Sequence, residues 1–252
     1  MYLDKQITAI VVAGGKGLRL GGAVPKQFLP LAGKPMLFYS VEAFFACAYV
    51  DEVVVVMPAA DMSSPYSKAL RELCPAGKKL LLAPGGDTRQ ESVLKGLLGA
   101  IGRGRILVHD AARPFILAED VERLIECGER NCLYACACTD TAKLTDEVGY
   151  VQGTIDRNLL WLAQTPQCFH YEDLLEAHLS AKDAGFTGTD DASLLERLDK
   201  PVKILPGSAG NFKITTAADF RYAEFVLNQA IYSAENSGRA EGRLLPEGQK
   251  SF

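Results

Sequence analysis

What this chain lacks narrows its function before any motif is considered. It has no apolar run long enough to cross a bilayer, and Met1-Tyr2-Leu3-Asp4-Lys5 shows no signal-peptide pattern. It has no basic surplus: 27 Lys and Arg stand against 31 Asp and Glu, a net charge of −4 that argues against a general nucleic-acid binder. Membrane and nucleic acid are therefore not expected partners, and the cytoplasm is the expected compartment. The seven cysteines make no C-x-x-C pair, because Cys136-Ala137-Cys138 is a C-x-C on alternating strand positions. Most of them read as small buried hydrophobes in a reducing compartment. Internal repeats are absent. So are the two common phosphate fingerprints: Leu20 stands where the third glycine of a G-x-G-x-x-G would fall, and no G-x-x-x-x-G-K-[ST] occurs. A dinucleotide dehydrogenase and a P-loop NTPase are thereby disfavoured.

What is present is ample apolar material, 48% of 252 residues, in an alternating arrangement. Strand-like runs at Ile7–Val12, Glu52–Met57, Lys79–Ala83, Arg105–His109, Leu133–Cys138 and Val202–Leu205 are separated by helix-like segments near Pro35–Ala48, Pro65–Leu73, Arg89–Ile101 and Glu119–Cys127. Further helices are expected over Tyr171–Asp183, Asp190–Arg197 and Ala217–Gln229. This alternation predicts an α/β fold, a Rossmann-like, mostly parallel sheet covered by helices on both faces. Thr88-Arg89-Gln90-Glu91 has the form of a capping box, and Val93, Leu94, Leu97, Leu98 and Ile101 are expected to share the buried face of the helix that follows. One domain over residues 1–232 accounts for the pattern, with a polar, turn-rich β-arm at about 139–161 leaving the sheet. So slight an arm needs a surface to pack on, and a second subunit is the natural candidate. Residues 233–252, rich in Glu, Gly, Arg and Pro, are expected to form a flexible tail.

In an open α/β sheet, ligands bind beyond the carboxyl ends of the strands. There the chain places Gly14, Gly15, Gly17, Arg19 and Lys26 after the first strand, Gly85-Gly86-Asp87-Thr88-Arg89 after the third, and His109-Asp110-Ala111-Ala112-Arg113-Pro114 after the fourth. Glycine amides with fixed cations beside them suit a polyphosphate. Taken singly, each loop has a structural explanation: a tight turn, a helix cap, an Asp bonded to its own backbone, a buried structural His109. Three on one edge point to a ligand, and Asp110 beside phosphates would be placed to hold a divalent cation. The second half adds Asp156-Arg157-Asn158, Gln164-Thr165-Pro166-Gln167, Thr189-Asp190-Asp191 and Lys213-Ile214-Thr215, which suit a second ligand bearing phosphate and hydroxyls. Thr189 and Thr215 could equally be helix caps.

These motifs, in this order and with Pro25-Lys26-Gln27-Phe28, Gln90-Glu91-Ser92-Val93, Leu159-Leu160-Trp161 and Ala192-Ser193, closely resemble the 2-C-methyl-D-erythritol 4-phosphate cytidylyltransferase family over about residues 5 to 228. Gly14 and Leu20 depart from the Ala and Met usual there. The resemblance implies a homodimeric, Mg²⁺-dependent nucleotidyltransferase that joins CTP and methylerythritol phosphate, giving the CDP-linked polyol and diphosphate. It implies that Ala13, Gly14, Gly15, Gly17, Arg19 and Lys26 line the phosphates and ribose of CTP. Gly86, Asp87 and Ser92 would face cytosine, and Asp110 the metal and ribose. Thr141, Arg157, Thr165, Thr189, Lys213 and Thr215 would hold the polyol phosphate, with Arg113 beside them; Thr141 and Arg157 would reach in from the partner's arm. Arg19, Lys26 and Lys213 would be the catalytic cations. The rivals are the same chemistry on another polyol phosphate, such as ribitol 5-phosphate, a sugar-1-phosphate nucleotidyltransferase, and an inactive nucleotide-binding regulator.

Overall fold

The structure, a computed structural model, describes residues 6–14 and 25–241, with side chains through residue 230. Runs rich in Val, Ile and Leu become strands here because both faces of the sheet are covered, so no polar alternation is required. In chain order these are β1 (Ile7–Val12), the short hairpin β2 (Pro30–Leu31) and β3 (Lys34–Pro35), α1 (Met36–Ala46), β4 (Glu52–Met57), α2 (Pro65–Glu72), β5 (Lys79–Pro84), α3 (Arg89–Gly99), β6 (Arg105–Asp110), α4 (Ala118–Glu126) and β7 (Cys132–Ala137). There follow β8 (Lys143–Thr145), β9 (Val151–Thr154), β10 (Trp161–His170), α5 (Tyr171–Asp183), α6 (Asp191–Glu196), β11 (Lys203–Pro206) and α7 (Ala217–Glu241).

Seven strands form one sheet in the order β11-β7-β10-β6-β1-β4-β5. The pairs of β1 with β4 and β6, of β4 with β5 and of β11 with β7 are parallel, whereas β10 runs antiparallel to both β6 and β7. One face packs Val41 and Phe44 of α1, Leu70 of α2 and Leu124 of α4 against Ile7, Val11, Val53 and Val55. The other packs Val93 and Leu97 of α3, Leu174 of α5 and Leu195 of α6 against Ile10, Val54, Ile106 and Phe169. A small third cluster joins Leu31, Met36, Ala112, Ile214 and Ala223, and so binds α7 and the β2–β3 hairpin to the loop after β6. The expected doubly covered, mostly parallel sheet is the fold observed.

The differences have physical reasons. Strand β10 was not expected, because Pro166 offers no ladder donor and Gln164, Thr165 and Gln167 read as site residues. The ladder accommodates them through a register shift between Ala163 and Gln167. Leu98 and Ile101 are exposed, not core: the stripe that reaches the sheet is Val93, Leu94, Leu97 and Ala100, and Leu98 is turned well away from it. Only half of the expected capping box forms. Thr88 accepts from the Glu91 N–H, but the Glu91 carboxylate reaches past Thr88 to accept from the Asp87 N–H at 2.9 Å. The arm exists as the separate β8–β9 ladder. Helix α7 continues to Glu241, beyond the end expected at Gln229, and residues 242–252 of the expected tail lie outside the described residues.

Candidate functional site

The sheet order puts β1 beside β6 although β4 and β5 extend the sheet the other way from β1, and this reversal opens a crevice beyond the strand ends. On one side of it the chain offers backbone with almost no side chain. Ala13 N–H donates to Val56 O at 2.7 Å and Gly85 N–H to Met57 O at 2.8 Å, which ties both loops to β4. Ser92, on the first turn of α3 and only 2% exposed, is the hub. Its hydroxyl donates to Thr88 O at 2.8 Å and accepts from Gly86 N–H at 3.0 Å. A Cβ added to Gly14 would lie 3.4 Å from Ser92 Oγ, and one added to Gly86 would lie 2.4 Å from Glu91 Cβ. A methyl at Gly86 would therefore have to displace Glu91, whereas one at Gly14 would make ordinary contact with Ser92; both glycines leave a wall of bare backbone at a helix N-terminus. Ala13, Gly14, Gly86, Asp87 and Ser92 are thus brought to one place; Gly15, Gly17 and Arg19 lie outside the described residues.

Beside that wall, starting from Arg89 on the same helix, runs a line of charges. Asp110, the last residue of β6, accepts from Arg89 Nε at 2.9 Å through Oδ1 and from Lys213 Nζ at 2.6 Å through Oδ2. Burial alone would raise the Asp110 pKa, but the two cations outweigh it and hold the carboxyl well below the usual carboxylate range. Arg89 also donates through Nη1 to Asp191 Oδ2 at 2.8 Å, and Asp191 Oδ1 lies 3.0 Å from His178 Nε2. The Lys213 side chain is 39% exposed, the accessible end of the line. Lys26 joins it from the loop after β1: its ammonium donates to Ile214 O at 2.9 Å, while Ile214 N–H donates to Ala112 O at 2.8 Å.

Thr165 and His109 hold this arrangement from below. Thr165 Oγ1 accepts from the Asp110 N–H at 3.0 Å and lies 3.2 Å from His109 Nδ1, while His109 Nε2 lies 3.0 Å from Arg113 O. A carbonyl can only accept, so Nε2 carries the proton and Nδ1 accepts from the Thr165 hydroxyl. Burial pushes the His109 pKa down to about 4. With both ring nitrogens engaged and no exposed surface, His109 is structural, as expected. Thr165 is itself 5% exposed, and its one hydroxyl proton goes to His109. Arg113 points its guanidinium at backbone, donating to Asn211 O at 2.7 Å and Ala163 O at 3.4 Å, so it braces the segment leading to Lys213.

The remaining sequence-predicted residues are placed differently. Thr215 is used as part of a cap: its hydroxyl and N–H both donate to Asp219 Oδ2 at 2.9 Å, with the Asp219 carboxyl lowered to about 2 chiefly by backbone N–H groups of Thr215 and Thr216. Thr189 is exposed and is not the cap of α6; Asp190 is, accepting from the Ser193 N–H at 2.9 Å. Thr141 and Arg157 stand exposed on the arm, where Arg157 donates to Thr139 O at 3.0 Å. Among the described residues no hydrogen bond or ion pair ties either of them to Asp110 or Lys213 within one chain. Nor does any group of three or more His, Cys, Asp or Glu side chains suited to a metal occur among the described residues. Among the described residues, Asp110 is the carboxylate bonded to the exposed Lys213. One carboxylate fits Mg²⁺ only where substrate phosphates supply most of the coordination.

Sequence reasoning missed the bridge formed by Arg89, Asp191 and His178. Arg89 and Asp191 were both in view, inside motifs, but their pairing spans 102 residues and leaves no local pattern. The one available signal was a cation at the first position of a helix, where the macrodipole disfavours it.

Comparison with known proteins converges on one family. The family model for 2-C-methyl-D-erythritol 4-phosphate cytidylyltransferase matches residues 7–229. A relative of that name from Symbiobacterium thermophilum is 40% identical over 230 residues, covering 90% of this chain and 95% of its own. A relative from Anaeromyxobacter, named as a bifunctional enzyme IspD/IspF, is 39% identical over 260 residues; all of this chain matches, and it spans 66% of that relative's length. Among solved structures, 4-diphosphocytidyl-2C-methyl-D-erythritol synthase from Anaerococcus prevotii superposes with a TM-score of 0.78 at 28% identity, covering 89% of this chain and 96% of its own. The 2-C-methyl-D-erythritol 4-phosphate cytidylyltransferase from Thermus thermophilus does so with a TM-score of 0.70 at 30% identity, covering 87% and 98%.

Proposed function

The chain belongs to the 2-C-methyl-D-erythritol 4-phosphate cytidylyltransferase family, and from that premise we propose that it joins CTP and 2-C-methyl-D-erythritol 4-phosphate to give 4-diphosphocytidyl-2-C-methyl-D-erythritol and diphosphate, a step of isoprenoid precursor synthesis. A phosphate oxygen of the polyol attacks the α-phosphorus of CTP, a new P–O bond forms in line, and the bond to the β-phosphate breaks. The attacking oxygen is already anionic at neutral pH, so no general base is needed, in keeping with a site whose nearest histidine is buried and doubly bonded. The barrier is repulsion between two anions and charge gathering on the α-phosphoryl group.

The observation that carries this reading is the convergence of Lys26 and Lys213 on adjacent groups, Ile214 O and Asp110, at the strand-end edge that also carries Gly14, Gly86 and Ser92. The bare amides and α3 N-terminus suit the nucleotide. Lys213, half-exposed on Asp110, can turn to a phosphate, and Lys26 lies beside the same segment; Arg19 would add a third cation to the triphosphate. Mg²⁺ would be carried chiefly by the triphosphate, with Asp110 as its protein carboxylate, and would supply further neutralisation of phosphate charge.

Thr141 and Arg157 would serve the polyol phosphate of a second subunit. The arm supports this: Leu144, Val148, Tyr150, Val151 and Leu159 are all more than half exposed, an apolar surface of the kind a partner covers. We accordingly place the arm in a homodimer interface, and the enzyme, with seven free thiols, in the cytoplasm. Among the described residues no helix is long and apolar enough to cross a membrane. The test is to supply CTP with 2-C-methyl-D-erythritol 4-phosphate or ribitol 5-phosphate and measure diphosphate release. Preference for the first supports the proposal; preference for the second reassigns the acceptor, and CTP binding with no release from either overturns catalysis.

A further inference from the structure

Arg89 breaks a local rule. It occupies the first position of α3, where the helix dipole favours anions, and its guanidinium is buried between two carboxylates from distant parts of the chain. On its inner side Asp191 is 1% exposed and clamped by His178, itself fully buried. The N-terminus of α6 that carries Asp191 is fixed in turn: Gln167 donates to Asp190 Oδ2 at 2.7 Å and accepts from the Ala192 N–H at 3.2 Å. On its outer side Arg89 holds one oxygen of Asp110, and Lys213 holds the other.

We propose that Arg89 is a positioning residue for the transfer: anchored by the buried His178–Asp191 pair, it fixes and neutralises Asp110 so that Lys213 can leave Asp110 for a phosphate. The inference rests on the proposed reaction. Four groups share the charge, the cations Arg89 and Lys213 and the carboxylates Asp110 and Asp191. Asp110 is only 8% exposed, and a buried carboxylate stripped of its only counterion is strongly disfavoured. Were Lys213 the sole partner of Asp110, it would be held there, and its ammonium would reach substrate only at that cost. With Arg89 in place Asp110 stays paired when Lys213 turns away. The planar fork of arginine is needed because Nε and Nη1 bond different carboxylates at 2.9 and 2.8 Å; a lysine ammonium here would reach one or the other.

The experiment is a double-mutant cycle on diphosphate release, using Arg89→Lys, Asp110→Asn and the pair together, with kcat and the KM for CTP measured for each. Arg89→Lys should lower kcat about ten- to a hundredfold with KM for CTP changed less than about threefold. In the Asp110→Asn background the same substitution should change kcat less than about threefold, because the residue acts through Asp110. A full multiplicative loss in the double variant, or an Arg89→Lys enzyme within about twofold of the parent, overturns the proposal. Should Arg89→Lys lose its near-UV circular dichroism, Asp191→Asn replaces it, being isosteric and cutting the anchor from behind, with the same non-additivity expected. A parent enzyme that releases no diphosphate overturns the reaction itself; an active parent with additive variants overturns only the role of Arg89.

Discussion

The ammonium of Lys26 donates to the carbonyl of Ile214 at 2.9 Å, across 188 residues of chain. It ties the loop after β1 to the segment between the sheet and α7, and Ile214 is anchored to Ala112 after β6 by its own N–H. Three strand-end segments are thus joined at the point where Lys213 emerges.

Substitution Lys26→Met keeps the length of the aliphatic stem and removes the charge. Loss of one preorganised electrostatic contact to a transition state costs about 3–4 kcal/mol, so kcat should fall by about a hundredfold or more. The unfolding midpoint in urea should move little, since the bond to Ile214 is only part-buried. A turnover within a few-fold of the parent would contradict the catalytic assignment.

The exposed arm yields a prediction that a single chain cannot satisfy. Arg157→Ala should raise the KM for the polyol phosphate, and Lys213→Ala should lower kcat. If Arg157 serves the neighbouring subunit, a dimer with one copy of each variant contains one site with both changes and one site with neither. Unfolding the two inactive variants together and refolding them at equal concentration should restore roughly a quarter of parental activity at limiting polyol phosphate. No recovery, despite mixed dimers by mass, would place Arg157 in its own chain's site or outside any site.

Much of this was legible in the chain, and the boundary has a physical origin. Strands β1 and β4 match the expected runs end for end, because Val- and Ile-rich segments bounded by turns have one favourable fate beneath two layers of helices. The segments carrying Gly14, Gly86 and Asp110 were legible for the same reason: they lie at the carboxyl ends of such strands, β1, β5 and β6. Strand β10 was not, since Pro166 and its polar neighbours hide a strand that only its antiparallel partners on both sides stabilise. The bridge from Arg89 to Asp191 was invisible because long-range ion pairing has no sequence period. Thr215 shows one short motif read two ways: its hydroxyl is bonded into the cap of α7, while the same motif carries Lys213.

Helix α3 presents Arg89 and Ser92, and its seat on the sheet depends on Gly96. A Cβ there would lie 2.8 Å from both Ile10 Cγ2 and Val56 Cγ2, two fully buried β-branched side chains with little freedom to turn. Alanine gains about 1 kcal/mol in helix propensity over glycine, while overpacking costs about 1–3 kcal/mol. Because the neighbours are stiff, overpacking should win, and Gly96→Ala should lower stability by up to about 2 kcal/mol in urea unfolding. It should also raise the KM for CTP by lifting the α3 N-terminus from the site. A variant as stable as the parent would show that α3 can slide without loss.

His109 makes stability depend on pH in a defined window. Its pKa falls from about 6.5 in the unfolded chain to about 4 when folded, because the fully buried ring cannot readily take up charge. Above the unfolded value both states are neutral and the ring contributes no pH dependence. As pH falls from about 6.5 to 4 the unfolded chain binds a proton that the folded one refuses, so the folded state loses stability, by an amount on the order of 3 kcal/mol at the lower end. Asp110 works in the same sense but lower down: its folded pKa is depressed, so its contribution is lost only as pH falls below the ordinary carboxylate range. His109→Gln should be less stable than the parent at pH 7.5, having lost the bonds to Thr165 and Arg113. Lacking the titrating ring, it should lose less on acidification, and the gap between the two urea midpoints should narrow steadily from pH 6.5 to 4.5. A gap that stays constant across that interval would mean that His109 does not titrate between its two states as the burial of its ring requires.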